Sequence, residues 1–216
     1  MVMICNRKDI KTIQDKYNLN FQESVFKGDL SINHNDTYKI SVDISSLPNF
    51  FPKVKELGER IPKKADRHVF EDGTCCLTTP AKEQLLIKTK IKNIHIFFDK
   101  ILIPFFQNNS YYEINKEYIQ GEYSHGIKGV IESYQEIAKV NDIELLIFFL
   151  YKIARKNKYN KNEKCFCKSG KKFKNCHSHA YKQLSLIDRR IITNDISKIF
   201  SFLEMIKKVN QPPFFV

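Results

Sequence analysis

No apolar run in this chain is long enough to cross a bilayer. The longest, residues 143–154, is interrupted by Glu144 and Lys152, and a spanning helix needs roughly 20 apolar residues. The opening MVMICNRKDI lacks the apolar stretch of a secretory signal. Both absences lead to the expectation of a cytoplasmic protein with no membrane association. The chain also has no Gly-x-x-x-x-Gly-Lys-(Ser/Thr) and no Gly-x-Gly-x-x-Gly. Phosphate-cradling chemistry of those two kinds is therefore excluded. No internal repeat is visible. Acidic residues are nearly missing from one segment: residues 152–182 hold eleven Lys or Arg and a single acid, Glu163.

That local scarcity accounts for most of the formal charge of +12. The rest of the chain is close to neutral. A basic stripe of this kind attracts nucleic acid, an anionic membrane or an acidic protein face, or serves only as a solvated linker. With 42% hydrophobic and 28% charged residues among 216, a packed core is expected and wholesale disorder is not.

Six cysteines are present: Cys5, Cys75, Cys76, Cys165, Cys167 and Cys176. In a reducing compartment, clustered cysteines are expected to bind metal or catalyse reactions, not to pair as disulfides. Cys165-Phe-Cys167 and Cys176-His177 offer three thiols and an imidazole across a short segment, the donor set of a tetrahedral zinc site. Ser169 and Gly170 allow the turn between the two halves. His179 is an alternative fourth ligand. So short a segment has little core, so the metal's binding free energy, about 10 kcal/mol or more in zinc peptides, is expected to fold it. The segment resembles the SEC-C motif, Cys-x-Cys-x-Ser-Gly-x-x-(Tyr/Phe)-Lys-x-Cys-(Cys/His), with Lys168 where Gly is usual. The resemblance implies a small docking surface for protein or nucleic acid.

The pattern along the chain is mixed. Residues 7–17 are expected to form a helix. Extended segments follow at 21–32, 38–44 and 53–57, with turn chemistry in Asn33-His34-Asn35-Asp36. Tyr38-Lys-Ile-Ser-Val-Asp-Ile44 alternates with the period of a half-buried strand. A helical period begins after Pro80, Pro104 should end or kink that helix, and 105–126 reads as a long aromatic connection. Two helices are expected near 127–139 and 142–156, then a basic linker, the zinc segment and a helix over 183–209.

Residues 68–77 read His68-Val-Phe-Glu-Asp72-Gly73-Thr-Cys75-Cys76-Leu77. A cysteine on an irregular flap beside His, Asp and Gly is a candidate nucleophile, although a free cysteine is more often a small core residue. The order helix, meander, His…Gly-x-x-Cys-Leu flap, helices resembles the ubiquitin-conjugating-enzyme (UBC-like) family. The flap form and Gly121-Glu122-Tyr-Ser-His125-Gly126 are closest to its bacterial members, often found in antiphage or ubiquitin-like operons. The resemblance implies an α+β UBC-like fold and a thioester-forming cysteine at Cys76, with Cys75 as packing. It departs at Val69 and Phe70, where the family has Pro and an Asn that supports the oxyanion; His68 and His125 are the candidate replacements. It further implies an acyl donor, either a ubiquitin-like protein or a cyclic-nucleotide-producing nucleotidyltransferase, and activation by a separate enzyme. The expected organisation is a conjugating domain over 1–150, a linker over 151–164, a zinc knuckle over 165–180 and a helical segment over 181–216. Two other functions remain open: an inactive UBC-like binding module, and a nucleic-acid-binding protein acting through the basic zinc segment.

Overall fold

The computed structural model of the chain describes residues 5–119 and 124–209. It is a mixed α+β protein that divides by packing into two compact units, Met1–Glu122 and Tyr123–Val216.

Unit one begins with α1, Arg7–Tyr17. Asn6 and Asp9 exchange side-chain-to-backbone hydrogen bonds of 2.9 and 3.0 Å, which satisfies two donors the helix start leaves open. Asn18, at φ 53°, turns the chain into a four-stranded antiparallel meander in sequence order. Its strands are β1 (Asn20–Gln22), β2 (Val25–Asn33), β3 (Asp36–Asp43) and β4 (Lys53–Glu56). The alternation in β3 does what its sequence requires, since Tyr38, Ile40 and Val42 are all buried. They pack with Phe26, Leu30, Val54, Phe97, Phe98 and Phe106 in the core of this unit. Arg60 fastens the far end. Its guanidinium pairs with Asp36 and, at 2.7 Å, with Glu113, and lies 4.1 Å from the centroid of the Tyr38 ring.

Beyond β4 the chain forms α2 (Pro80–Thr89), with Pro80 at the start, where its missing N–H costs nothing. Three consecutive helical segments follow: α3 (Ile94–Phe97), a π-turn (Phe98–Leu102) and α4 (Ile103–Asn115). Pro104 therefore does not end the helix. The Ile103 N–H bonds to the Phe98 carbonyl, five residues back. This wider turn absorbs the bond that proline cannot make. The long connection expected from residue 105 is helical as far as Asn115 and returns Phe106 to the core, where its ring lies 4.6 Å from Tyr38.

Unit two contains α5 (Ile127–Ala138), α6 (Ile143–Ala154), α7 (Ser178–Leu184) and α8 (Arg189–Val209). Leu146, Phe149, Leu150 and Ile153 form the buried stripe of α6, at helical spacing. The sequence suggests a boundary at 150. By packing, α5 and α6 fall in one unit with the zinc segment: α6 packs on α8, and Phe149 lies 4.5 Å from Phe166 of the knuckle. Among the described residues, no helix is long and apolar enough to cross a membrane.

Candidate metal centre and the Cys76 flap

Between α6 and α7 the chain makes a small hairpin. Lys164 faces Lys172, and the Cys165 N–H donates to the Lys171 carbonyl at 2.8 Å. The turn between the two arms needs positive φ twice, at Lys168 (61°) and Gly170 (75°). A short 3-10 turn, Phe173–Asn175, then delivers Cys176 and His177 beside the first two thiols.

The Sγ atoms of Cys165, Cys167 and Cys176 and the ring of His177 lie within 4.8 Å of one another. Cys165 Sγ is 3.2 Å and Cys176 Sγ 3.1 Å from His177 Nδ1, and Cys167 Sγ is 3.5 Å from Cys176 Sγ. A tetrahedral zinc with Zn–S near 2.3 Å and Zn–N near 2.0 Å sets ligand–ligand edges of roughly 3.5 Å. The donor atoms are thus already at near-coordinating separations. His177 Nε2 lies 3.3 Å from the Lys139 carbonyl oxygen at the end of α5. Donation of that N–H fixes the ring and leaves Nδ1 as the ligating nitrogen, a common arrangement behind metal-bound histidines. His179 is exposed on α7 and is not part of the cluster.

Aromatic rings enclose the cluster. Phe166 lies 4.5 Å from Phe149 and 4.9 Å from His177, and Phe173 stacks on Tyr159 at 4.5 Å. The Tyr159 hydroxyl is buried without a hydrogen-bond partner, and burial pushes its pKa up to about 12. Burial also holds the Cys165 thiol up. The Cys167 thiol is pulled down, against its own burial, by the Ser169 side chain and backbone. Three thiols and one imidazole, crowded and largely shielded from water, form a donor set that suits a soft divalent ion.

The flap of unit one is an extension of the sheet edge. Glu56 N–H donates to the Gly73 carbonyl at 3.0 Å and Cys75 N–H to the Val54 carbonyl at 2.8 Å. Phe70 and Gly73 close the turn between the flap arms. Strand alternation then separates the neighbouring cysteines: Cys75 is buried, and burial pushes its thiol up to about 12, whereas Cys76 is half-buried. The Cys76 N–H donates to the His68 carbonyl at 2.8 Å. Residues 68 and 76 are thus joined through the backbone, and the His68 ring lies against Tyr118, 5.9 Å between centroids.

Burial raises the Cys76 thiol, and Glu83, one turn into α2, raises it further. Asp72 is held ionised by Thr74 and by Lys55 at 3.3 Å. Arg67 is buried against Tyr112 and bonded to Asn109. Glu83 carries no motif in the sequence; only its spacing after the Thr79 cap could have placed it near Cys76. His125 lies in unit two, just before α5. Gly121, Glu122 and Tyr123 of its expected motif fall outside the described residues.

Residues 162–178 match the family model of the SEC-C motif, a zinc-binding type. The four clustered donors all fall within that match. Neither the curated proteins nor the solved structures include a match to the chain.

Proposed function

We propose that the protein is an acyl carrier of the ubiquitin-conjugating type, joined to a docking unit held together by zinc. One observation carries the first half. A helix, an antiparallel meander and an edge flap are followed by a helix, and at that last junction one thiol, Cys76, is accessible while its neighbour Cys75 is core. In this reading the Cys76 thiolate attacks the activated carboxyl carbon of a ubiquitin-like protein or a partner nucleotidyltransferase. A C–S bond forms and the activating group leaves. A lysine amine then attacks the same carbon, the C–S bond breaks, and an isopeptide remains. The amine's proton passes to a base, for which Glu83, whose charge acts on Cys76, and His68, joined to Cys76 through the backbone, are the candidates. The thiol is raised, not activated, so rate would come from positioning an activated donor, which can supply several kcal/mol. The resemblance of the flap to bacterial members of the family suggests antiphage defence as the setting.

Zinc would be held by Cys165, Cys167, Cys176 and His177. With all four positions filled by protein, the ion would supply cross-linking to the knuckle and leave no open coordination site for catalysis.

The second reading is a catalytically inactive UBC-like binding module. It is favoured by Phe70, which stands 54% exposed where the family carries its oxyanion-supporting Asn. Intact-protein mass spectrometry of the chain, co-expressed with its neighbouring genes, separates the two. Acyl transfer requires a thiol-labile adduct that Cys76→Ala removes, Cys76→Ser converts to a thiol-resistant ester and Cys75→Ser leaves in place. Biological activity indifferent to Cys76→Ala, with no adduct in any variant, would establish the binding module.

A further inference from the structure

Helix α6 carries two stripes. One is the buried set Leu146, Phe149, Leu150 and Ile153. The other, turned to solvent, is Phe148, Tyr151, Lys152 and Arg155, spaced i, i+3, i+4 and i+7 and so aligned along one face. Phe148 is 43% and Tyr151 42% exposed. The protein therefore leaves two large rings in water on a helix that already has a complete buried face.

Each ring carries a cation. Lys152 Nζ lies 5.3 Å from the Phe148 centroid, and the Arg155 guanidinium 4.5 Å from that of Tyr151. Phe148 also approaches Phe166 of the knuckle, 6.2 Å between centroids. The aromatic stripe thus runs into the knuckle's lysine surface, where Lys164, Lys168, Lys171, Lys172 and Lys174 are all exposed. Among the described residues, no carboxylate forms an ion pair with any of these five.

We propose that unit two binds single-stranded nucleic acid on this face, with Phe148 and Tyr151 as stacking platforms for bases and Arg155 and the knuckle lysines as phosphate ligands. The combination of exposed rings with neighbouring cations and exposed lysines is what favours this ligand. Bases of a single strand expose their π-faces, and stacking plus backbone neutralisation is how such strands are held without sequence readout. A duplex hides those faces, and an acidic protein would need only the lysines. The inference is independent of Cys76 and of the chemistry proposed for unit one.

The test is fluorescence anisotropy of a labelled single-stranded oligothymidine with the full zinc-loaded chain, at several salt concentrations, with duplex DNA and polyglutamate as competitors. Tight binding at low salt is expected, with the single strand preferred over the duplex. Phe148→Ala with Tyr151→Ala should weaken it by about tenfold or more, and the conservative pair Phe148→Tyr with Tyr151→Phe should retain it. Lys171→Gln with Lys172→Gln should reduce the log–log salt slope by about 0.7 for each phosphate that is no longer neutralised. Helical circular dichroism and zinc content of each variant guard against unfolding. No binding at low salt would overturn the proposal. So would equal competition by duplex or polyglutamate, or binding unchanged in the alanine pair, each of which marks a surface that reads charge alone.

Discussion

The Tyr134 hydroxyl of α5 donates a hydrogen bond of 3.0 Å to Asp195 of α8, and both side chains are buried. Burial raises the Asp195 carboxyl above its ordinary value of 3.8, with the Tyr134 bond opposing that rise only in part. A carboxyl whose folded pKa lies above its unfolded value holds its proton longer in the folded chain. Its contribution to stability is complete below the ordinary value and is lost as pH rises through the raised one. Asp195→Asn removes that dependence. The variant's melting temperature should gain on that of the parent as pH climbs above the ordinary value of 3.8. Tyr134→Phe leaves the carboxylate without its donor and should cost about 2 kcal/mol at neutral pH. Parallel thermal melts across that pH range check both.

Lys168 and Gly170 both occupy left-handed backbone in the turn between the ligand pairs. A Cβ added at Gly170 would meet no atom within 4 Å, so only backbone strain would penalise Gly170→Ala. It should destabilise the zinc-bound unit by about 1 kcal/mol. Lys168→Gly relieves the same strain, offset by the freedom glycine adds to the unfolded chain, and should range from neutral to about 1 kcal/mol stabilising. Denaturant titration of the two variants should move the midpoint toward less stable for Gly170→Ala and not for Lys168→Gly.

Cys76 is the flap thiol that solvent reaches, and its pKa lies above the usual 9.0 through burial first and Glu83 second. Alkylation of Cys76, followed by peptide mapping, should therefore be slow at neutral pH and accelerate beyond pH 9. Glu83→Gln keeps an acceptor for the Phe51 N–H and removes the opposing charge. It should raise the Cys76 alkylation rate at fixed pH by about threefold. An unchanged rate would mean that burial alone sets the thiol.

The sequence makes the local features legible. The period-2 run through Tyr38, Ile40 and Val42 marks a strand, and the spacing of Cys165, Cys167, Cys176 and His177 marks the cluster before any coordinates. Two features escape it. Pro104 reads as a stop or a kink because its own bond is lost; the sequence does not show that a π-turn, packed through Phe97, Phe98 and Phe106, carries the helix past it. The Glu83–Cys76 pairing joins α2 to the flap, and such a meeting depends on how the two elements fold together, which no local pattern encodes.

The knuckle's place in the fold is also hidden from the sequence. The segment reads as an appendage, yet Phe166 and Phe173 lock into Phe149 and Tyr159, and His177 leans on the end of α5. The α5 partner lies 38 residues from His177 along the chain, and together these contacts make the metal cluster part of the core of unit two.

The direct test of the metal centre is elemental analysis of protein purified without added metal, comparing the parent with Cys165→Ser/Cys167→Ser, His177→Ala and His179→Ala. The expected result is about one zinc per chain in the parent and in His179→Ala. The double serine variant should lose it, and His177→Ala should hold it far more weakly against a chelator. Zinc absent from the parent, or fully retained by the double serine variant, would contradict the site.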